Sequence, residues 1–168
     1  FFFPFSLIYL NQNPVRTSEA SYESVDMRTG KTTGKKIVVR QHRSNLSGEW
    51  MVYDTQNNLR LVPLFRRSNT LLINDQLWIL GQPGTCWTGT DSLGNYSRCV
   101  EAFYPSWKLP SGIVFDSVYV IRQQNITGHD SLTLRLYISA IYPLVIQQER
   151  QRNSRIEYKE QVTGFRTR

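Results

Sequence analysis

The stretch Ser131-Leu132-Thr133-Leu134-Arg135-Leu136-Tyr137-Ile138 decides the fold class. Leu132, Leu134, Leu136 and Ile138 fall on one side of an extended chain; Thr133, Arg135 and Tyr137 fall on the other. A period of two is the signature of a β-strand with one apolar face. The alternation weakens towards Ile146, and Pro143 bends the strand or places it at a sheet edge. Upstream, Gly112 to Gln123 carries Val114, Phe115, Val118, Tyr119, Val120 and Ile121, the longest strand signal in the chain. Asn125 to Asp130 reads as the turn between the two.

The same pattern repeats along the chain. Glu49–Asp54 and Leu59–Phe65 flank Gln56-Asn57-Asn58, a hairpin signal. Thr70–Ile73 and Gln76–Leu80 flank Asn74-Asp75, a second one. Lys36–His42 and Arg98–Tyr104 add further strands. Arg155–Phe165 reads as a final edge strand, and the polar run 147–155 as a loop or single helical turn. Ser18–Met27 is a weak candidate for a short helix, and Arg28–Lys36 for an exposed turn. Turn-spaced strands with no convincing amphipathic helix predict an all-β fold. The expected architecture is an antiparallel β-sandwich or barrel-like domain of about eight short strands. The nine Tyr, eight Phe and four Trp agree with strand-rich structure.

With no internal repeat or low-complexity linker, residues 16–168 read as a single β-rich domain. Residues 1–15 read as an apolar docking segment, with Phe1, Phe2, Phe3, Phe5, Leu7 and Ile8 as its contact residues. Pro4 disfavours a helix interior there. A start at Phe1 rather than Met suggests a processed or trimmed product. The sequence contains no run of eighteen apolar residues, so no helical membrane span is expected.

Cys86 and Cys99 lie thirteen positions apart, across a segment rich in turn formers. They are expected to form a disulfide that staples the loop between two strands. That pairing points to an extracytoplasmic location: secreted, at a cell surface or at a particle surface. A nucleophilic Cys86 would instead need a histidine partner and an oxyanion donor. The only histidine after it is His129, in a turn-like Gly-His-Asp, and the Gln82-to-Cys86 spacing does not suit a cysteine protease. Gly30-Lys31-Thr32 resembles the end of a phosphate-binding loop, but Val25 stands where such a loop needs glycine. Two histidines and two cysteines at these spacings fit no usual zinc site, and the acidic residues show no calcium-loop pattern. The expectation is therefore no enzyme, no metal and no cofactor.

The net charge is +7. Residues 28–43 and the C-terminal tail hold most of the basic clusters, which solvated strand faces explain as well as phosphate contact does. Trp87, Tyr96, Tyr104 and Trp107 are candidates for stacking on sugar rings. Asn45, Asn95 and Asn125 each begin an Asn-x-Ser/Thr glycosylation pattern and are expected in turns.

These readings lead to a non-enzymatic structural or interaction subunit of an extracytoplasmic assembly: a pilus, fibre, adhesin or particle coat. Its expected partners are other protein subunits, met through the apolar segment. The alternatives are a carbohydrate-binding module using the aromatic loop 84–107, and a viral coat protein with a basic face towards nucleic acid.

Overall fold

The computed structural model describes residues 16–42, 47–53, 59–73, 75–127 and 130–168. It is all-β, with twelve strands: β1 (Arg16–Asp26), β2 (Lys31–His42), β3 (Ser47–Tyr53), β4 (Leu59–Arg67), β5 (Thr70–Ile73), β6 (Gln76–Ile79), β7 (Cys86–Asp91), β8 (Gly94–Lys108), β9 (Val114–Thr127), β10 (Asp130–Ser139), β11 (Leu144–Arg152) and β12 (Arg155–Thr167). They form one antiparallel sheet in the order β6-β5-β4-β3-β2-β1-β12-β11-β10-β9-β8-β7. Two meanders thus run outward from a central β1–β12 pair.

The hairpin signals at 49–65 and 70–80 correspond to β3–β4 and β5–β6. Other parts of the chain differ from the sequence reading. The described residues form twelve strands, where the sequence reading expects about eight, and β8 runs for 15 residues. The helix expected over Ser18–Met27 is instead strand to Asp26, with Met27 opening the turn: Ser18, Ala20, Tyr22 and Ser24 are buried in alternation. Small polar residues at inward positions hid that period. Lys31 already begins β2, so the exposed turn is shorter than 28–36. The polar run 147–155 continues β11 to Arg152 and turns at Asn153-Ser154. Both of those residues have positive φ (46° and 66°), the backbone that tight hairpins favour. β12 is no edge strand; it pairs with β1 on one side and β11 on the other. The apolar segment Phe1–Leu10 lies outside the described residues, as do residues 11–15, 43–46, 54–58, 74 and 128–129.

Two apolar clusters hold the sheet. In one, Leu71, Trp78 and Leu80 from the β5–β6 end cover Ile121, Leu136, Ile138 and Ala140 from β9 and β10 and the turn after β10. The second joins Ala20, Tyr22, Val38 and Val162 to Phe115, Val118, Val120, Tyr137, Leu144 and Ile146. Tyr137 therefore faces one cluster while Leu136 and Ile138 face the other, so both sides of β10 are covered. Burying side chains of this size stabilises by about 1.5–3 kcal/mol each. Since β5–β6 lies at one end of the strand order and packs on β9–β10 near the other, the sheet curls back on itself. Its two terminal strands, β6 and β7, approach without forming a ladder.

Candidate binding site on strand β8

Strand β8 has two different halves. From Gly94 to Cys99 it pairs with β7 on one side and, from Tyr96, with β9 on the other. Cys86 stands directly opposite Cys99 and is joined to it by a disulfide. Neither cysteine titrates as a thiol, which removes the nucleophile reading. Val100 closes this half, accepting a backbone bond from Gly84 at 2.8 Å and donating one to Thr85 at 2.9 Å.

The inward face of this half carries a charged clamp. Arg98 is 1% exposed. Its guanidinium lies between the rings of Trp78 (3.6 Å) and Tyr96 (4.0 Å). It donates to Gln123 Oε1 at 2.7 Å, to the Leu77 carbonyl at 2.8 Å and to Gln76 Oε1 at 2.5 Å. The network continues from Gln123 to Asp91 (2.9 Å) and Asn125 (2.7 Å), and from Asn125 to Asp91 at 3.1 Å. Trp87 Nε1 donates to the same Leu77 carbonyl at 3.2 Å. Leu77 and Gln76 belong to β6, so these side chains bridge the sheet's two ends where backbone pairing does not. Burial pushes the Arg98 pKa down to about 10, while Tyr96 and Asp91 oppose the shift. The side chain stays charged at neutral pH.

The second half, Glu101–Lys108, pairs with β9 on one side only. Among the described residues no strand pairs with its other edge. Phe103 (41%) and Tyr104 (38%) are exposed there. A register shift between Val100 and Ala102 marks the boundary with the first half. Glu101 accepts from Arg135 at 2.6 and 3.0 Å, and this bond is the main cause that holds its carboxyl below the usual range. Pro105 has no N–H to offer, which limits indiscriminate pairing at this edge.

Beside this half lies a cleft of about 590 Å³, lined by Trp107, Lys108, Leu109, Pro110, Tyr137, Gln147, Glu149 and Lys159. The Trp107 ring centre is 4.8 Å from that of Tyr104 and 5.0 Å from that of Tyr137. Gln147 donates to Glu149 at 3.0 Å, and Lys159 approaches Glu149 at 3.8 Å. Burial, with the Glu149 charge, raises the Tyr137 pKa to about 12.

The four aromatic residues expected to meet sugars therefore separate. Trp107 lines the cleft, and Tyr104 packs against its ring. Tyr96 is 7% exposed and occupied under Arg98, so it is corrected from surface residue to clamp residue. Trp87 packs beside the Trp78 cluster. Asn125, in β9, is 1% exposed and donates to Asp91 of β7, so it is corrected from turn acceptor to core. Several of the basic residues are paired: Lys36 with Glu160 (2.5 Å), Arg28 with Asp26, Arg152 with Glu157 and Arg166 with Glu19. The sequence reading missed Arg98 and the cleft's polar side. One signal existed for the former: Arg98 occupies an inward position between Tyr96 and Val100.

No family model matches the sequence, and no curated protein matches it. Among solved structures, a Bacteroides fragilis protein inferred to be exported, with a YmcC-like fold, is similar to this chain with a TM-score of 0.52. The likeness covers 89% of this chain and 95% of that one at 9% identity, and speaks to the fold alone. A chain from the MucA/MucB complex of Pseudomonas aeruginosa aligns over 90% of this chain and 52% of its own at 10% identity. Its TM-score of 0.46 is too low to carry an argument.

Proposed function

We propose that this protein is a non-enzymatic interaction subunit of an extracytoplasmic assembly, and that the open half of β8 receives a strand from a second copy. The one-sided pairing of Glu101–Lys108 carries this reading. A strand edge with free backbone groups gives affinity through main-chain bonds and specificity through alternate side chains. Eight residues of edge span about 26 Å. The apolar stretch Phe1–Leu10 is long enough to match that edge, and its phenylalanines complement Phe103 and Tyr104. The Cys86–Cys99 disulfide supports an oxidising compartment. The fold likeness to a protein inferred to be exported agrees with it.

Sedimentation of the full chain tests the assembly. Concentration-dependent association, lost on deleting residues 1–10 or in Phe103→Lys, is the expected result. A monomer at all concentrations, unchanged by either alteration, would overturn the proposal. For the compartment, alkylation of the chain recovered from its native cell should find no free thiol. Two alkylated cysteines there would contradict export.

A further inference from the structure

We infer that the cleft beside the open half of β8 binds a saccharide, with one sugar ring stacked on Trp107. This binding would be separate from strand addition, because it uses the side-chain face above β8 and β10–β12 rather than the β8 backbone edge.

The volume, about 590 Å³, lies within the range of small-ligand sites and holds one or two hexose rings. Its lining has the two parts a sugar requires. One is an aromatic platform: Trp107, half-buried, and Tyr137 line the cleft with ring centres 5.0 Å apart, and the exposed Tyr104 ring braces Trp107 at 4.8 Å. The apolar C–H face of a pyranose packs on such rings, and its hydroxyls then point sideways. The other is a set of groups that can both donate to and accept from those hydroxyls. Glu149 is a carboxylate, Gln147 an amide and Lys159 an ammonium, all along one side of the cleft. Adjacent hydroxyls on a sugar match a carboxylate or amide placed to take two bonds. The Lys159–Glu149 separation of 3.8 Å is long for a direct charge-assisted bond, so both groups keep bonding capacity for a ligand.

Burial separates the roles. Gln147 is 3% exposed and fixed by its bond to Glu149, which presents a pre-set polar wall. Side chains held in place before binding lose less freedom when the ligand arrives. Other polar clusters fit a ligand less well. In the second cavity Asp26 and Glu157 already pair with Arg28, Arg150 and Arg152, and no aromatic pair lines it. The Lys36–Glu160 site is closed by Ser24, Tyr158 and Gln148.

Saturation-transfer NMR on the full chain tests the inference, using oligosaccharides of two to four units built from glucose, galactose, mannose or N-acetylglucosamine. The expected result is transfer to the C–H protons of one ring for at least one of these probes. Transfer should fall at least fivefold in Glu149→Gln and in Lys159→Ala, with unchanged circular dichroism. Trp107→Ala should abolish it, but that ring also touches the core. Glu149→Gln, which keeps the side chain's size, therefore keeps the test decisive if Trp107→Ala unfolds. No transfer from any probe, or equal transfer in wild type and Glu149→Gln, would overturn the inference.

Discussion

The two halves of β8 share one strand and one partner, β9, yet they are finished in opposite ways. From Gly94 to Cys99 the outer edge is covered by β7, joined to it by Cys86–Cys99, and clamped from the inside by Arg98. From Glu101 to Lys108 the outer edge has no strand partner among the described residues, and aromatic side chains line it. The contrast shows what the buried arginine does. Neighbouring strands need no side chain to hold them, because the ladder does so. β6 and the β7–β8 hairpin have no ladder between them, and Arg98 supplies the missing link through Leu77 and Gln76. The chain thus fixes one half of β8 firmly and leaves the other available.

Breaking the closed half should have the largest effect. Arg98→Ala removes a side chain held between two rings, takes the arginine donor from Gln76 and Gln123, and leaves the Leu77 carbonyl with the Trp87 bond. A loss of about 3–5 kcal/mol is expected from the cavity and the unsatisfied groups together. Urea unfolding measures it, and a loss under about 1 kcal/mol would show that the clamp is incidental. Removing the staple should rank second. Cys86→Ser with Cys99→Ser should cost about 2–3 kcal/mol in the loop-entropy account. The same urea experiment, run with and without reductant on the wild type, should give the same difference.

A third effect comes from the tyrosine beside the open half. The folded pKa of Tyr137 is about 12, against 10.0 for the ordinary phenol. The unfolded chain therefore releases this proton first as the pH rises. The stability linked to Tyr137 is fully present below pH 10.0 and is lost as the pH climbs towards about 12. Thermal midpoints between pH 9 and 12 should fall less steeply in Tyr137→Phe than in wild type. Equal slopes would contradict this account. Tyr22 is also raised, by burial and then by Glu160, so the slope should not vanish. The smallest effect is expected at the boundary between the halves. Arg135→Ala removes a partly exposed ion pair with Glu101 and should cost less than about 1 kcal/mol. A larger loss would mean that this pair, rather than the clamp, sets where β8 opens.

Much of the closed half was legible in the sequence. Two cysteines across a polar turn predict the staple, and the alternation at 131–138 predicts β10. Arg98 was harder to place, because an arginine between Ser97 and Cys99 looks like any surface charge. Its role depends on β6 coming back from the far end of the strand order, which local periodicity does not encode. β1 and β12 were misread for a related reason. Ser18, Ser24 and Glu160 sit at buried positions, so the apolar period that marks a strand is diluted. β12 also becomes central only because β1 pairs with it across almost the whole chain length. The cleft shows the same limit. Tyr104 and Trp107 stand out as aromatics, but Tyr137, Gln147, Glu149 and Lys159 come from three other strands. Only the register of β10, β11 and β12 brings them together.

The most direct test of the open half is photo-crosslinking from position 103. With p-benzoyl-phenylalanine in place of Phe103, irradiation should give a dimer on a denaturing gel. Tryptic mapping should place the link in the peptide Phe1–Arg16 of the second copy. Monomer-sized products alone, or links confined to β9 of the same chain, would contradict the claim that this edge receives a strand from another subunit.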